Sequence, residues 1–115
     1  MTHLAQPMHF GHRVDGGEHV PLDEPLECLV IDLSAHGMRF RTDETVPLGT
    51  WLAGAYPAPR RPVPVVVEVL RHEALRGAVA HGGRFVGMAD HDTEALFRVV
   101  LARQRRLIAE RRDAV

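Results

Sequence analysis

Between residues 27 and 88 apolar and polar positions alternate with a period of two, and beyond residue 92 the period becomes helical. Glu27 to Asp32 (ECLVID) is a compact β-type run ended by Ser34-Ala35-His36-Gly37, after which Met38, Phe40 and Thr42 alternate with Arg39 and Arg41. That order predicts strand, turn, strand, because successive side chains of a strand point to opposite faces. Pro47 and Gly49 mark a turn into another strand, with Trp51 and Leu52 available to the core, and Pro57 to Pro64 forms the next loop. Val65, Val67 and Val69 share one face of a long β-branched strand. Gly77 to His81 and Arg84 to Met88 flank Gly82 and Gly83, which predicts a hairpin turning through left-handed glycines.

From Asp92 the spacing of Leu96, Val99, Val100, Arg103 and Leu107 predicts an amphipathic helix, its stripe widened by Phe97, Leu101 and Ile108, with Asp90 or Asp92 as N-cap. Residues 1–25, rich in His, Gly, Pro and acids, read as an N-terminal arm with a short strand near Glu18 to Val20. The expected chain is one domain, mainly β: arm 1–25, a six-stranded antiparallel barrel over 26–89 and a C-terminal helix over 92–112. Barrel closure removes exposed strand edges, and the helix would cover one opening or side.

Length and composition fit this: 115 residues with 45% hydrophobic and 25% charged make one globular core and leave no room for a second. All 14 basic residues are Arg, and against 15 acids they leave a formal charge of −1, so any anion site must be local. The C-terminal end is the basic one, since Arg98, Arg103, Arg105, Arg106, Arg111 and Arg112 cluster there while acids crowd the stretch from Asp15 to Glu44. Cys28, the one cysteine, lies in an apolar run and fits a buried thiol in a reducing compartment; the cytoplasm is the simplest address. The apolar stretch Val63 to Leu70 is interrupted by Pro64 and Glu68, far short of the roughly 20 residues of a membrane span, so no membrane insertion is expected.

The most chemically specific element is Asp32-Leu33-Ser34-Ala35-His36-Gly37, which leaves one strand and enters the next with a carboxylate and a hydroxyl two residues apart. Read alone it is an ordinary Asx or Ser turn that satisfies its own amides. In context, VIDLSAHGMRF resembles the D/N-x-S-x-x-G motif of the PilZ family, with strands on both sides. VPLGTWL, VVVEVLR and GGRFVGM followed by a helix resemble that family's turn into its middle strand, its long later strand and its closing strand with C-terminal helix, and together these cover most of residues 9–108. The resemblance implies a non-catalytic barrel that binds the bacterial second messenger cyclic di-GMP through this motif and an RxxxR on the N-terminal arm. In the arm, HFGHRV offers His9 at the first arginine position and Arg13 at the second.

The implied ligand-binding set is His9, Arg13, Asp32, Ser34 and Gly37. Arg13 would hold phosphate or guanine, Asp32 would accept from guanine N1 or N2, Ser34 would hydrogen-bond the ligand and Gly37 would make room. An arginine offers a planar fork to phosphate or to guanine O6/N7 that an imidazole does not, and losing such a bidentate contact costs about 1–3 kcal/mol. A cationic His9 or His12 compensates for part of that loss, and ordering residues 8–14 against Asp32 and Ser34 is the expected switch. The alternative is a degenerate family member that does not bind the nucleotide and acts as a protein-interaction module.

Other constellations carry less. His9 and His12 (HxxH), with His3 and His19 nearby, hold no thiolate or placed carboxylate to complete a zinc tetrahedron, and Asp32, Ser34 and His36 lack the geometry of a hydrolase triad. No cofactor, metal or catalytic residue is expected, and the helix arginines read as a solvated basic face rather than a nucleic-acid surface. The expected partners are cyclic di-GMP and an unidentified protein target, in a monomer or a homodimer built on the distal helix.

Overall fold

A computed structural model describes residues 2–113. Six antiparallel strands close into a barrel in the order β1-β2-β3-β6-β5-β4: β1 Thr2–Asp15, β2 Glu18–Leu33, β3 Gly37–Thr42, β4 Trp51–Pro57, β5 Pro62–Leu75 and β6 Ala78–Phe85. Helix α1, Asp90–Asp113, follows and packs against β5 and β1. The mainly β barrel with one C-terminal helix is therefore as expected.

The inner face follows the predicted alternation. Met38, Phe40 and Thr42 are buried between the more exposed Arg39 and Arg41, and Val63, Val65, Val67 and Val69 line the opposite wall at 1% exposure or less. Burying each such side chain contributes about 1.5–3 kcal/mol. Phe10 and Phe40 meet with ring centroids 5.3 Å apart, and the His81 imidazole stacks on Phe40 at 5.1 Å. His81 is fully buried in the apolar core because its polar atoms are engaged: the Val46 N–H donates to Nε2 at 2.9 Å, and Thr42 Oγ1 lies 3.5 Å from Nδ1.

Four expectations need correction. Residues 2–25 do not form an arm: β1 pairs with β2 and β4, and the two long strands turn at Gly16-Gly17, both at positive φ. Residues 8–14 are thus already strand, which removes their ordering as the switch. Second, Gly82 and Gly83 lie inside β6; the hairpin turns at Gly77, φ 74°. They are glycines because a Cβ on Gly82 would stand 2.7 Å from Arg71 Nε, and one on Gly83 would meet Val67 and the Glu68 carbonyl oxygen. Third, the loop between β4 and β5 is confined to residues 58–61. Fourth, the buried helix stripe is narrow: Leu96 and Val100 are buried, whereas Phe97, Leu107 and Ile108 are exposed. Asp92, buried beside Arg61 at 3.7 Å, lies in the first turn with Asp90, where negative charge suits the helix dipole.

Candidate functional site

The Asp32–Gly37 turn is built by a change of phase in β2. Cys28 and Val30 face inward, the β2–β3 register then slips between Val30 and Asp32, and Leu33 resumes the inner face while Asp32 is set opposite Arg39. Bulges of this kind re-aim side chains beside functional sites. Arg39 Nη1 donates to Asp32 Oδ2 at 3.3 Å, with the carboxylate largely buried and the arginine half exposed.

Ser34 closes the turn. Its backbone N–H donates to the Gly37 carbonyl at 3.0 Å, its Oγ donates to the same carbonyl at 3.2 Å, and Oγ accepts from the N–H groups of Gly37 at 3.2 Å and His36 at 3.3 Å. This is the local Ser-turn chemistry that competes with regular structure at such positions. The His36 carbonyl accepts from Phe85 N–H at 2.8 Å, tying the turn to the end of β6.

A shallow depression of about 400 Å³ opens over this turn, bringing Asp32, Ser34 and Gly37 together with His36, Arg39, Arg71 and Arg84. The cations arrive from three strands by register: Arg39 of β3 and Arg71 of β5 both stand across from Gly82 of β6, and Arg84 stands across from Gly37. Gly82, lacking a side chain, lets the Arg71 side chain lie across the β6 backbone. Arg84 Nε donates to Glu68 Oε1 at 2.6 Å, and that bond, with one from Trp51, holds the Glu68 carboxyl below its ordinary range. Arg71 has no ion-pair partner among the described residues. Arg39 and Arg84 are engaged by Asp32 and Glu68, which leaves Arg71 as the guanidinium best placed to meet an anion here.

His9 and Arg13 are not brought to this depression. Arg13 pairs with Val20 and Leu52 at the far end of β1, and its guanidinium lies 3.7 Å from Asp15. Asp32 pairs with His3, ten β1 positions from Arg13, at most roughly 33 Å at strand rise. His9 pairs with Glu27, five residues short of Asp32 or roughly 16 Å away. Asp32, Ser34 and Gly37 are contiguous and so were legible; Arg39, Arg71 and Arg84 were missed because only the barrel's register assembles them. One signal was present: Asp32 and Arg39 stand at matching positions either side of the turn.

Among the described residues no three His, Cys, Asp or Glu side chains gather as a metal site; His12 and His19 approach as a pair, rings 6.1 Å apart. No described helix is long and apolar enough to cross a membrane.

No curated protein matches the chain. The family profile described as "PilZ domain" matches residues 8–102, from β1 through the first half of α1 and across the Asp32–Gly37 turn. A barrel of this topology carrying this turn, matched over most of its length, places the chain in the PilZ domain family of non-catalytic receptor and adaptor domains.

Proposed function

We propose that this chain, as a single domain, binds cyclic di-GMP over the Asp32–Gly37 turn and works as a cytoplasmic adaptor acting by protein contacts on motility, pilus, biofilm or exopolysaccharide machinery. The observation that carries this reading is the convergence of Arg39, Arg71 and Arg84 on the motif's depression. They supply near the motif the cationic half that His9 and Arg13 do not. In this reading Arg71, lying across Gly82, takes phosphate or guanine O6/N7, Asp32 receives the guanine edge, and the Ser34 hydroxyl holds the turn that presents Asp32.

The test is isothermal titration of cyclic di-GMP into the unmodified protein and into Arg71→Ala and Ser34→Ala. Saturable heat, weakened about 5- to 150-fold by Arg71→Ala, supports the site, the range following from the loss of one bidentate contact. A second reading, an interaction module that does not bind the nucleotide, is favoured by the full internal engagement of the Ser34 hydroxyl and the remoteness of Arg13. Absence of heat from the unmodified protein at high nucleotide concentration would favour it over the receptor.

A further inference from the structure

The larger cavity lies away from the motif. It is a groove of about 740 Å³ between α1 and the 58–61 loop, its accessible apolar lining given by Ala58 of the loop and Ala95 and Val99 of the helix. Its rim is cationic: Arg60 and Arg61 on the loop side, Arg98, Arg103 and Arg106 along the helix, with Glu94 as the one lining carboxylate. Asp92 engages Arg61 at 3.7 Å; the other four have no ion-pair partner among the described residues. The Arg103 Nε–H is itself buried without a hydrogen-bond partner. An unpaired buried donor favours an occupant that brings an acceptor to this guanidinium.

The spacing defines the ligand. Arg98 and Arg106 are eight residues apart, roughly 12 Å along the helix axis, further than one carboxylate or one phosphate reaches. The occupant must therefore carry several spaced negative charges, and the apolar floor asks for an apolar side chain among them. A nucleic-acid backbone meets the first requirement and leaves the floor uncovered. The rest of the chain, with its acids crowded between Asp15 and Glu44, opposes a long polyanion.

We infer that this groove docks an acidic peptide segment of a partner protein, its carboxylates on the arginine rim and one leucine or aromatic side chain against the partly exposed Ala58 and Val99. The site gives the adaptor its protein contact and does not depend on nucleotide binding.

The experiment is fluorescence anisotropy of the full chain with the labelled peptide Glu-Glu-Leu-Glu-Glu-Phe-Glu-Glu. The expected result is saturable binding, weakened at least about tenfold by Arg98→Glu and by Arg103→Ala, and unchanged by Arg105→Ala, whose side chain is exposed and off the groove. Arg98 is exposed, so its replacement reports on docking without disturbing the fold. Equal weakening by Arg105→Ala, equal affinity for an all-glutamate peptide, or preference for single-stranded oligonucleotide or anionic phosphatidylserine vesicles each overturns the inference. Ser34→Ala is expected to leave peptide binding intact, so failure of the nucleotide site and failure of the groove are read separately.

Discussion

Gly37 stands directly against the carbonyl oxygen of Gly83, leaving no space for a side chain: a Cβ there would run into that oxygen and lie 3.1 Å from Arg84 Cα. Both obstacles are backbone, so neither swings aside. Gly37→Ala is expected to destabilise the barrel by about 1–3 kcal/mol, the usual range for overpacking. Urea unfolding read by circular dichroism checks this; an unchanged midpoint would show that β3 and β6 move apart freely. The motif's glycine thus has a structural duty separate from any ligand, and its loss is the wrong variant for testing nucleotide contact.

Arg13→Ala and His9→Ala are expected to leave cyclic di-GMP affinity unchanged within twofold, because β1 holds both residues far along the barrel from Asp32. Calorimetric titration of the two variants settles it. A loss of tenfold or more would mean that β1 detaches from β2 and β4 to reach the motif.

His81 makes stability depend on pH. Burial lowers its pKa from the ordinary value of 6.5, the neighbouring His72 imidazole lowers it further, and backbone hydrogen bonding opposes both without cancelling them. The neutral ring accepts from Val46 N–H; a proton on Nε2 would abolish that bond. The folded state therefore binds fewer protons than the unfolded chain below about pH 6.5, so His81's contribution is fully present above that pH and is lost as pH falls through the folded-state pKa. Melting temperature is expected to fall between pH 7 and pH 5, with a shallower fall in His81→Gln. Parallel slopes would assign the dependence to other groups.

Cys28 is expected to be chemically silent in the folded protein. Burial, with Glu27 adding to it, pushes the thiol up to about 12, so the thiolate population at pH 8 is roughly a thousandfold below that of an ordinary exposed cysteine. Reaction with a disulfide reagent is expected only in denaturant. Rapid labelling of the folded chain would reveal frequent opening of the β1–β2 wall.

The legible parts of the fold were those with one buried face. Met38, Phe40 and Thr42, or Val65, Val67 and Val69, advertise a strand because every second residue enters the core. Most side chains of Gly11 to Pro25 point into solvent, so burial imposes no alternation, and Pro21 and Pro25 read as loop residues although they lie within β2. Gly82 and Gly83 were misread because glycine signals a turn in a short window, whereas here its small size admits Arg71 from β5. The candidate site divided in the same way: the contiguous turn was visible, and its arginines were not, because sequence separation hides what strand register assembles.

The outer stretch of β2 has one further implication. Among the described residues β2 pairs with β3 over Leu29 to Leu33, so its stretch towards Glu18 has β1 as strand neighbour on one side and an open row of backbone groups on the other. Pro21 and Pro25 bring no amide donor to this stretch, and Glu18, Asp23, Glu24 and Glu27 charge it. Together these discourage strand addition and keep neighbouring molecules from templating on this margin at high concentration. A patch that looks idle in signalling terms thereby protects solubility.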